Sequence, residues 1–300
     1  MKRTLTALAV AVSAGLALSA CGASSDPTAE ETTAAAGEAV VVGSADFSES
    51  VLLAEIYAGA LKAKGVNAST KTGIGSREIY LKALEDGSIQ VVPEYTGALA
   101  LYYDNTFTET DPDKVYAALQ AALPAQFTVL DKSAAEDNDS MVVTKETADS
   151  LSLTTIEDLS GKTADLALGA PPEFKTRAQG VPGLEASYGL TFGEFRELKG
   201  QALVQALKND QVQVANIFST DPSILQNGFV TLTDTKKLFG SQNVVPLISA
   251  SVEKEVADTL NAVSAKLTTE KLTQLLVATD VEKKNPADVA KEFLTAEGLS

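Results

Sequence analysis

From Val40 onward, short β-branched runs alternate with stretches of helical period, and this alternation limits the fold more than any other feature of the chain. "AVVVG", Ala39 to Gly43, reads as a buried parallel strand closed by glycine. Leu52, Leu53, Ile56, Ala60 and Leu61 then recur at helical spacing until Gly65, with Ser48 as the expected N-cap and Glu49 at the positive end of the dipole. "NASTKTG" predicts an edge strand, and "GIGSREIYLKALEDG" a second helix capped by Ser76 and ended by Gly87. The glycines of "GIG" do not make a dinucleotide loop, because Glu78 stands where the third glycine is required. "SIQVV" is a strand that Pro93, lacking an N–H, is expected to stop. Further on, the pattern predicts a helix over Lys114–Leu123 and strands at "TVL", Met141–Thr144, "TADLALGA", "QVQVANIF", "VTLTDT" and "NVVPLISA". Between them lie a capping pair at Thr155 and Asp158 and helices at Leu184–Tyr188 and "GQALVQALKND". Three helices close the chain from Val252, the last with Asn285 as cap and Pro286 at its first position; they can pack back on the first lobe. The expected class is α/β with largely parallel sheets, and about 260 residues fill two domains more readily than one.

One stretch is echoed. "ALEDGSIQVVPEYTG", Ala83 to Gly97, lies over "ALKNDQVQVANIFST", Ala206 to Thr220, so that Ile89-Gln90-Val91 meets Val212-Gln213-Val214 and Tyr95-Thr96 meets Phe218-Ser219. A helix end, a strand, then an aromatic followed by a hydroxyl, written once in each half, implies two lobes that each offer one such loop to a ligand between them.

The N-terminus decides the compartment. Lys2 and Arg3 precede an uncharged run, Thr4 to Leu18, that is too short for the roughly 20 residues of a membrane-spanning helix and reads as a secretory signal. Leu18-Ser19-Ala20-Cys21 resembles the lipobox of bacterial lipoproteins, which implies cleavage before Cys21 and lipid on that residue. Gly22 to Ala39 is small, polar and acidic and reads as a flexible tether. The chain carries −16, and loss of the two basic leader residues makes it −18, which disfavours nucleic acid and anionic membrane surfaces as partners. With no histidine and Cys21 as the only cysteine, a Ser-His-Asp triad, a Cys-His pair and His- or Cys-ligated zinc are excluded. Carboxylate-only catalysis, a Ser-Lys pair, or binding without chemistry remain.

"GSADFSESVLLAEIYAGAL", "GSREIYLKALEDGSIQVVPEYTG", "PGLEASYGLTF", "IFSTDPSI" and "DVAKEFLTAEGL" stand in an order that resembles the substrate-binding proteins of osmoprotectant ABC importers, the glycine betaine/carnitine/choline type. The resemblance runs from Val40 to the C-terminus and implies a type II periplasmic-binding-protein-like α/β fold, two lobes on crossover hinge strands, closing on ligand and docking on a permease. The expected organisation is a signal peptide over 1–20, a tether over 21–39, lobe I from 40–139 plus 244–300 and lobe II from 140–243. The expected partners are a small zwitterionic or cationic ligand and an ABC permease, with the membrane met only through the lipid, no cofactor or metal, and a monomeric state.

A quaternary ammonium donates no hydrogen bond, so aromatic faces must hold it, at about 0.5–2 kcal/mol each; a carboxylate tail needs donors. Tyr95 matches the family's cage tyrosine in "EYTG" or is a half-buried core residue, and Phe218 in "FSTD" is its partner by the echo or a core ring. Thr96, Ser219 and Thr220 accompany the two rings. Ser76 and Arg77, at a helix start, are placed for an anion, although Arg77 equally suits an ion pair. Asp46, Phe47 and Ser50 occupy the first strand-to-helix loop, where the family often has Asn, Phe and Gln. Asp139 in "EDNDS" is an exposed acid or reaches the cation; Glu94 fixes its loop and Asp221 caps its turn. Ser140, Gln242 and Asn243 stand where better-known members carry further cage tyrosines. Cation recognition therefore rests on fewer rings plus acids, or the ligand is a more polar zwitterion such as a thione betaine or an amino-acid-like molecule. The competing classes are a secreted hydrolase working through carboxylates such as Asp46 or Glu94, and a structural envelope lipoprotein.

Overall fold

The computed structural model describes residues 39–300; the expected signal peptide, the expected lipidation site Cys21 and the expected tether up to residue 38 lie outside the described residues. The first sheet is built from β1 (Val40–Gly43), β2 (Ala68–Lys71), β3 (Val91–Tyr95) and β4 (Phe127–Val129), interleaved with α1 (Ser48–Ala63), α2 (Arg77–Glu85), α3 (Thr96–Tyr103) and α4 (Pro112–Ala122). The second holds β5 (Met141–Val143), β6 (Ala167–Ala170), β7 (Glu194–Glu197), β8 (Val214–Asn216) and β9 (Val230–Leu232), with α5 (Lys145–Leu151), α6 (Val181–Tyr188), α7 (Gly200–Lys208) and α8 (Ser223–Asn227) between them. Then β10 (Val244–Ser249) rejoins the first sheet, and α9 (Lys254–Ser264), α10 (Thr269–Leu276) and α11 (Pro286–Ala296) end the chain. The strand orders are β2-β1-β3-β10-β4 and β7-β6-β8-β5-β9.

The chain passes between the sheets twice, and the two passages are bonded to each other. Ser133 N donates to Val244 O (2.9 Å), Val244 N to Ala135 O (2.9 Å) and Asp137 N to Gln242 O (3.1 Å). These are the crossover strands that the resemblance implied. They also correct the expectation of largely parallel sheets. In each sheet two pairings are parallel and two antiparallel, and the antiparallel strand is β10 in one and β5 in the other. A crossover helix returns the chain to the same end of its sheet, whereas a passage from the other sheet delivers it to the opposite end.

The echo is a structural repeat. β3 and β8 are each the central strand of their sheet. Gln90 N donates to Val41 O (2.8 Å) while its side-chain oxygen accepts from Val41 N (2.8 Å); Gln213 makes the same two bonds with Ala167, at 3.1 and 2.9 Å. Ile89 N donates to Ala83 O (3.1 Å) and Val212 N to Ala206 O (3.3 Å), closing the same turn after each helix.

Pro93 does not stop β3. Its cross-strand partner is Pro246, between the Glu94–Val245 and Val92–Leu247 pairs; the bond from Thr96 N to Asn243 O (3.0 Å) sets the alternation that makes Pro93–Pro246 a non-bonded pair, so the two proline nitrogens face away from each other. On its other side β3 pairs with β1 only at Val91, so no ladder bond is lost at Pro93. The helix that follows at once, α3, was not expected: "TGALALYY" is apolar on every side and carries no periodic signal. It begins where Gly97 meets the second passage, and a Cβ there would come within 2.5 Å of Ser241 O. Gly97→Ala is expected to destabilise the protein by about 1–3 kcal/mol, read from urea unfolding; an unchanged midpoint would show that the passage yields freely.

α1 is buried along Leu52, Leu53, Ile56, Tyr57, Ala60 and Leu61, and the same core takes in Val256, Leu260 and Val263 of α9 and Val289, Phe293 and Leu294 of α11. Caps followed the sequence where they were local. Asn285 accepts from Ala287 N (2.9 Å), and Thr155 and Asp158 form a reciprocal capping box. Ser48 and Ser76 do not cap: Ser48 donates to Asp280 and Ser76 to Glu78, each at 2.6 Å. Phe47 is the extended residue preceding α1.

Candidate functional site

Between the two sheets lies a cavity of about 400 Å³. Its apolar wall comes from three chain segments. Phe47 projects from the loop between β1 and α1, with ring centroids 6.2 Å from Tyr95 at the end of β3 and 5.3 Å from Phe218 after β8. The two rings matched by the echo thus flank one phenyl group, making a stacked wall rather than a box. The loop that carries Phe47 is held from behind. Ser50 is buried outside the cavity lining, its hydroxyl accepting from Ala45 N (2.9 Å), and Ser44 accepts from Gly73 N (2.9 Å).

The floor is acidic. Glu49, in the first turn of α1, accepts from the Tyr95 hydroxyl (2.7 Å) and the Thr220 hydroxyl (2.6 Å). Asp137, on the first passage between the sheets, accepts from Thr220 N (3.1 Å) and the Ser219 hydroxyl (3.4 Å). Burial pushes both carboxyls above the ordinary carboxylate range; for Glu49 hydrogen bonds from Thr220, Tyr95 and Asp137 oppose it, while for Asp137 the charge of Glu49 adds to it. Asp139, two residues along the same passage, accepts from Asn216 Nδ2 (3.1 Å) and Gln242 Nε2 (3.2 Å).

The rim is ionic. Lys199 pairs with Asp46, and Arg177 reaches Glu78 through Nε (3.2 Å) and Nη2 (3.3 Å), both joining segments of the two sheets. Burial pushes Glu78 upward, but hydrogen bonds from Arg177 and Ser76 outweigh it and bring its pKa down to about 2.

Of the expected site residues, the cavity brings together Asp46, Phe47, Ser76, Arg77, Tyr95, Asp139, Phe218 and Thr220. Four do not line it. Ser50 holds the loop, and Ser219 ties the first passage to the loop after β8 by accepting from Asn138 N (2.9 Å). Thr96 accepts from Asn243 N (3.1 Å), and Asn243 donates to Ser133 O (3.0 Å), so both fasten the passages to the first sheet. A small hydroxyl or amide beside a ring need not share its direction, and here each turns to satisfy backbone. Arg77 lines the cavity but its guanidinium is committed to Glu94, at 2.9 and 2.8 Å, which leaves the anion role to other donors. Glu94 is fully buried by that pair and does not line the cavity, and Asp221 accepts from Ser223 N (2.8 Å), the turn-capping role expected of it. Tyr188 lies in the core of the second sheet, hydrogen-bonded to Asp234.

Sequence reasoning passed over Glu49, Asp137, Tyr80, Gln179, Lys199 and Asn216, which also line the cavity. In sequence Glu49 reads as a helix-dipole residue alone. For Asp137 a signal existed: it stands two residues before Asp139 in an extended run, where alternation puts both on one side.

Residues 38–296 match the family described as the substrate binding domain of ABC-type glycine betaine transport systems. A glycine-betaine-binding protein of Pseudomonas aeruginosa is 26% identical over 275 residues, covering 87% of this chain and 88% of that protein. The glycine betaine-binding protein YehZ of Escherichia coli is 27% identical over 282 residues, covering 88% and 92%. A crystal structure of a glycine betaine/carnitine/choline ABC transporter superimposes with a TM-score of 0.69 at 25% identity, over 87% of this chain and 99% of the other.

Proposed function

The chain belongs to the family of substrate-binding domains of ABC-type glycine betaine transport systems, and we propose that its cleft captures a quaternary-ammonium compatible solute such as glycine betaine and hands it to an ABC permease. The observation that carries this is the stacked wall of Tyr95, Phe47 and Phe218 standing over an acidic floor in a cavity between two sheets. The rings supply faces to a cation that cannot hydrogen-bond, and Glu49, Asp137 and Asp139 supply the opposite field. At the rim, Lys199 and Arg177 line the cavity in partly exposed pairs with Asp46 and Glu78, and a carboxylate tail would take the place of one of those partners. Tyr95, Phe47, Phe218, Asp139, Thr220 and Asp46 carry the binding in this proposal, with binding as the whole of the activity and no bond broken. The lobes are 40–139 with 244–300, and 140–243, moving about the paired passages. The chain acts outside the cytoplasm as a monomer, tethered by lipid on Cys21.

A second ligand class is favoured by one observation. Gln179, Asn216 and Gln242 are buried amides in the cavity lining, a polar complement larger than a trimethylammonium group uses. They suit a zwitterion with additional hydrogen-bonding atoms, such as a thione betaine.

Titration of the purified protein with glycine betaine, choline, carnitine, proline and thione betaines separates the two. Micromolar affinity corresponds to about −8 kcal/mol. Ligand at about 100 times Kd adds about 2.7 kcal/mol to stability and raises the unfolding midpoint. A midpoint that moves with none of these solutes removes the osmoprotectant function.

A further inference from the structure

Resting on the capture function above, we propose that Glu49 and Asp137 hold one proton between them and are the specificity-determining counterion of the cleft, so that an organic cation enters in exchange for that proton. The two side chains sit in the cavity wall with 3% and 2% of their residues exposed, and one residue bonds both: the Thr220 hydroxyl donates to Glu49 (2.6 Å) and the Thr220 N–H to Asp137 (3.1 Å). They come from different parts of the fold: Glu49 from α1 beside the first sheet, Asp137 from the passage, with Thr220 from the loop after β8 bridging them. The donors they share are two hydroxyls on Glu49, and one hydroxyl and one amide on Asp137. That set solvates one negative charge; two facing carboxylates without a countercharge cannot both ionise.

The charges around the pair do not supply it. Asp139 from the same passage and Asp221 from the loop after β8 add negative field, and Tyr95 from β3 is neutral, burial holding its hydroxyl well above the ordinary range. Behind Tyr95, Arg77 is neutralised by Glu94 with Tyr80 bonded to the same carboxylate; at the rim Lys199 is taken by Asp46 and Arg177 by Glu78, and Lys283, exposed to solvent, donates to Asp280 O (2.6 Å). Among the described residues neither Glu49 nor Asp137 forms an ion pair with lysine or arginine. Nor do three or more His, Cys, Asp or Glu group as a metal site. A monovalent organic cation laid against Phe47 and Tyr95 completes the charge, and the displaced proton passes to solvent.

The sign follows from the shared proton. The folded, ligand-free protein binds a proton that the unfolded chain gives up in the ordinary carboxylate range, so its stability falls as pH rises above that range. Ligand affinity moves the other way, strengthening with pH by up to about tenfold per unit until the pair is ionised.

Calorimetric titration with glycine betaine and with choline, in buffers of different ionisation enthalpy, counts the protons. About one is released per ligand in the parent protein. Asp137→Asn, which removes the second carboxyl at nearly the same volume, is expected to bind with no proton release and with an affinity flat in pH. Binding by the parent without proton release overturns the proposal while leaving solute capture standing. Failure of both probes to bind counts against capture of these solutes, and the ligand-free protein then decides. A stability–pH slope equal in parent and Asp137→Asn overturns the shared proton, and a shallower slope in the variant supports it.

Discussion

Arg77→Met is expected to lower the free energy of unfolding by about 3–5 kcal/mol, the largest loss of any single substitution considered. Arg77 and Glu94 meet through two parallel bonds of 2.9 and 2.8 Å, with their side chains 6% and 0% exposed, and the Tyr80 hydroxyl completes the carboxylate at 2.7 Å. Removing the guanidinium leaves Glu94 in the interior of the first sheet without its cation. The cost comes from that stranded charge more than from the lost attraction, so Arg77→Met combined with Glu94→Leu should recover part of the stability. Recovery stays incomplete because Glu94 also accepts from Tyr95 N at 3.0 Å. Urea unfolding at one fixed pH measures both variants. A loss below about 1 kcal/mol would mean that the pair is reached by water, and that Arg77 is free for the ligand after all.

Phe47→Ala is expected to weaken binding of glycine betaine by about ten- to a hundredfold, which is about 1.4–2.8 kcal/mol. The ring lies between Tyr95 and Phe218, so its loss removes one cation-facing surface and the neighbour that orients two others. Tyr95→Ala and Phe218→Ala each take away one flank and should cost less. Phe47→Leu keeps bulk without a π face and should fall between Phe47→Ala and the parent. Calorimetry on the four variants gives the order, and parent-like affinity in Phe47→Ala would return the three rings to a packing role.

The two results bear on different levels of the same site. At a helix start, Arg77 reads from sequence as a donor placed for an anion or as half of an ion pair. In the folded protein a buried glutamate seventeen positions on in sequence claims it first, because an arginine taken out of water must be paired before it can do anything else. Phe47, Tyr95 and Phe218 behave differently: an aromatic ring has no partner it must find, and can stand at a cavity wall wherever the strand ends.

What could be read along the chain was whatever depends on neighbours a few residues away. The alternation of strand and helix, the box at Thr155–Asp158 and the Asn285–Pro286 helix start all follow from local periodicity and bonding, and all are present in the fold. What needed the tertiary structure was every choice among competing partners. Pro93 continues its strand because Pro246 happens to face it; α3 is a helix although its apolar residues show no period; Ser50, Thr96, Ser219 and Asn243 turn toward backbone rather than into the cleft. The acidic floor is the clearest case. Glu49 and Asp137 are eighty-eight positions apart and ordinary in their local contexts, and only the closure of the two passages on α1 removes both from water together, where each sets the charge of the other.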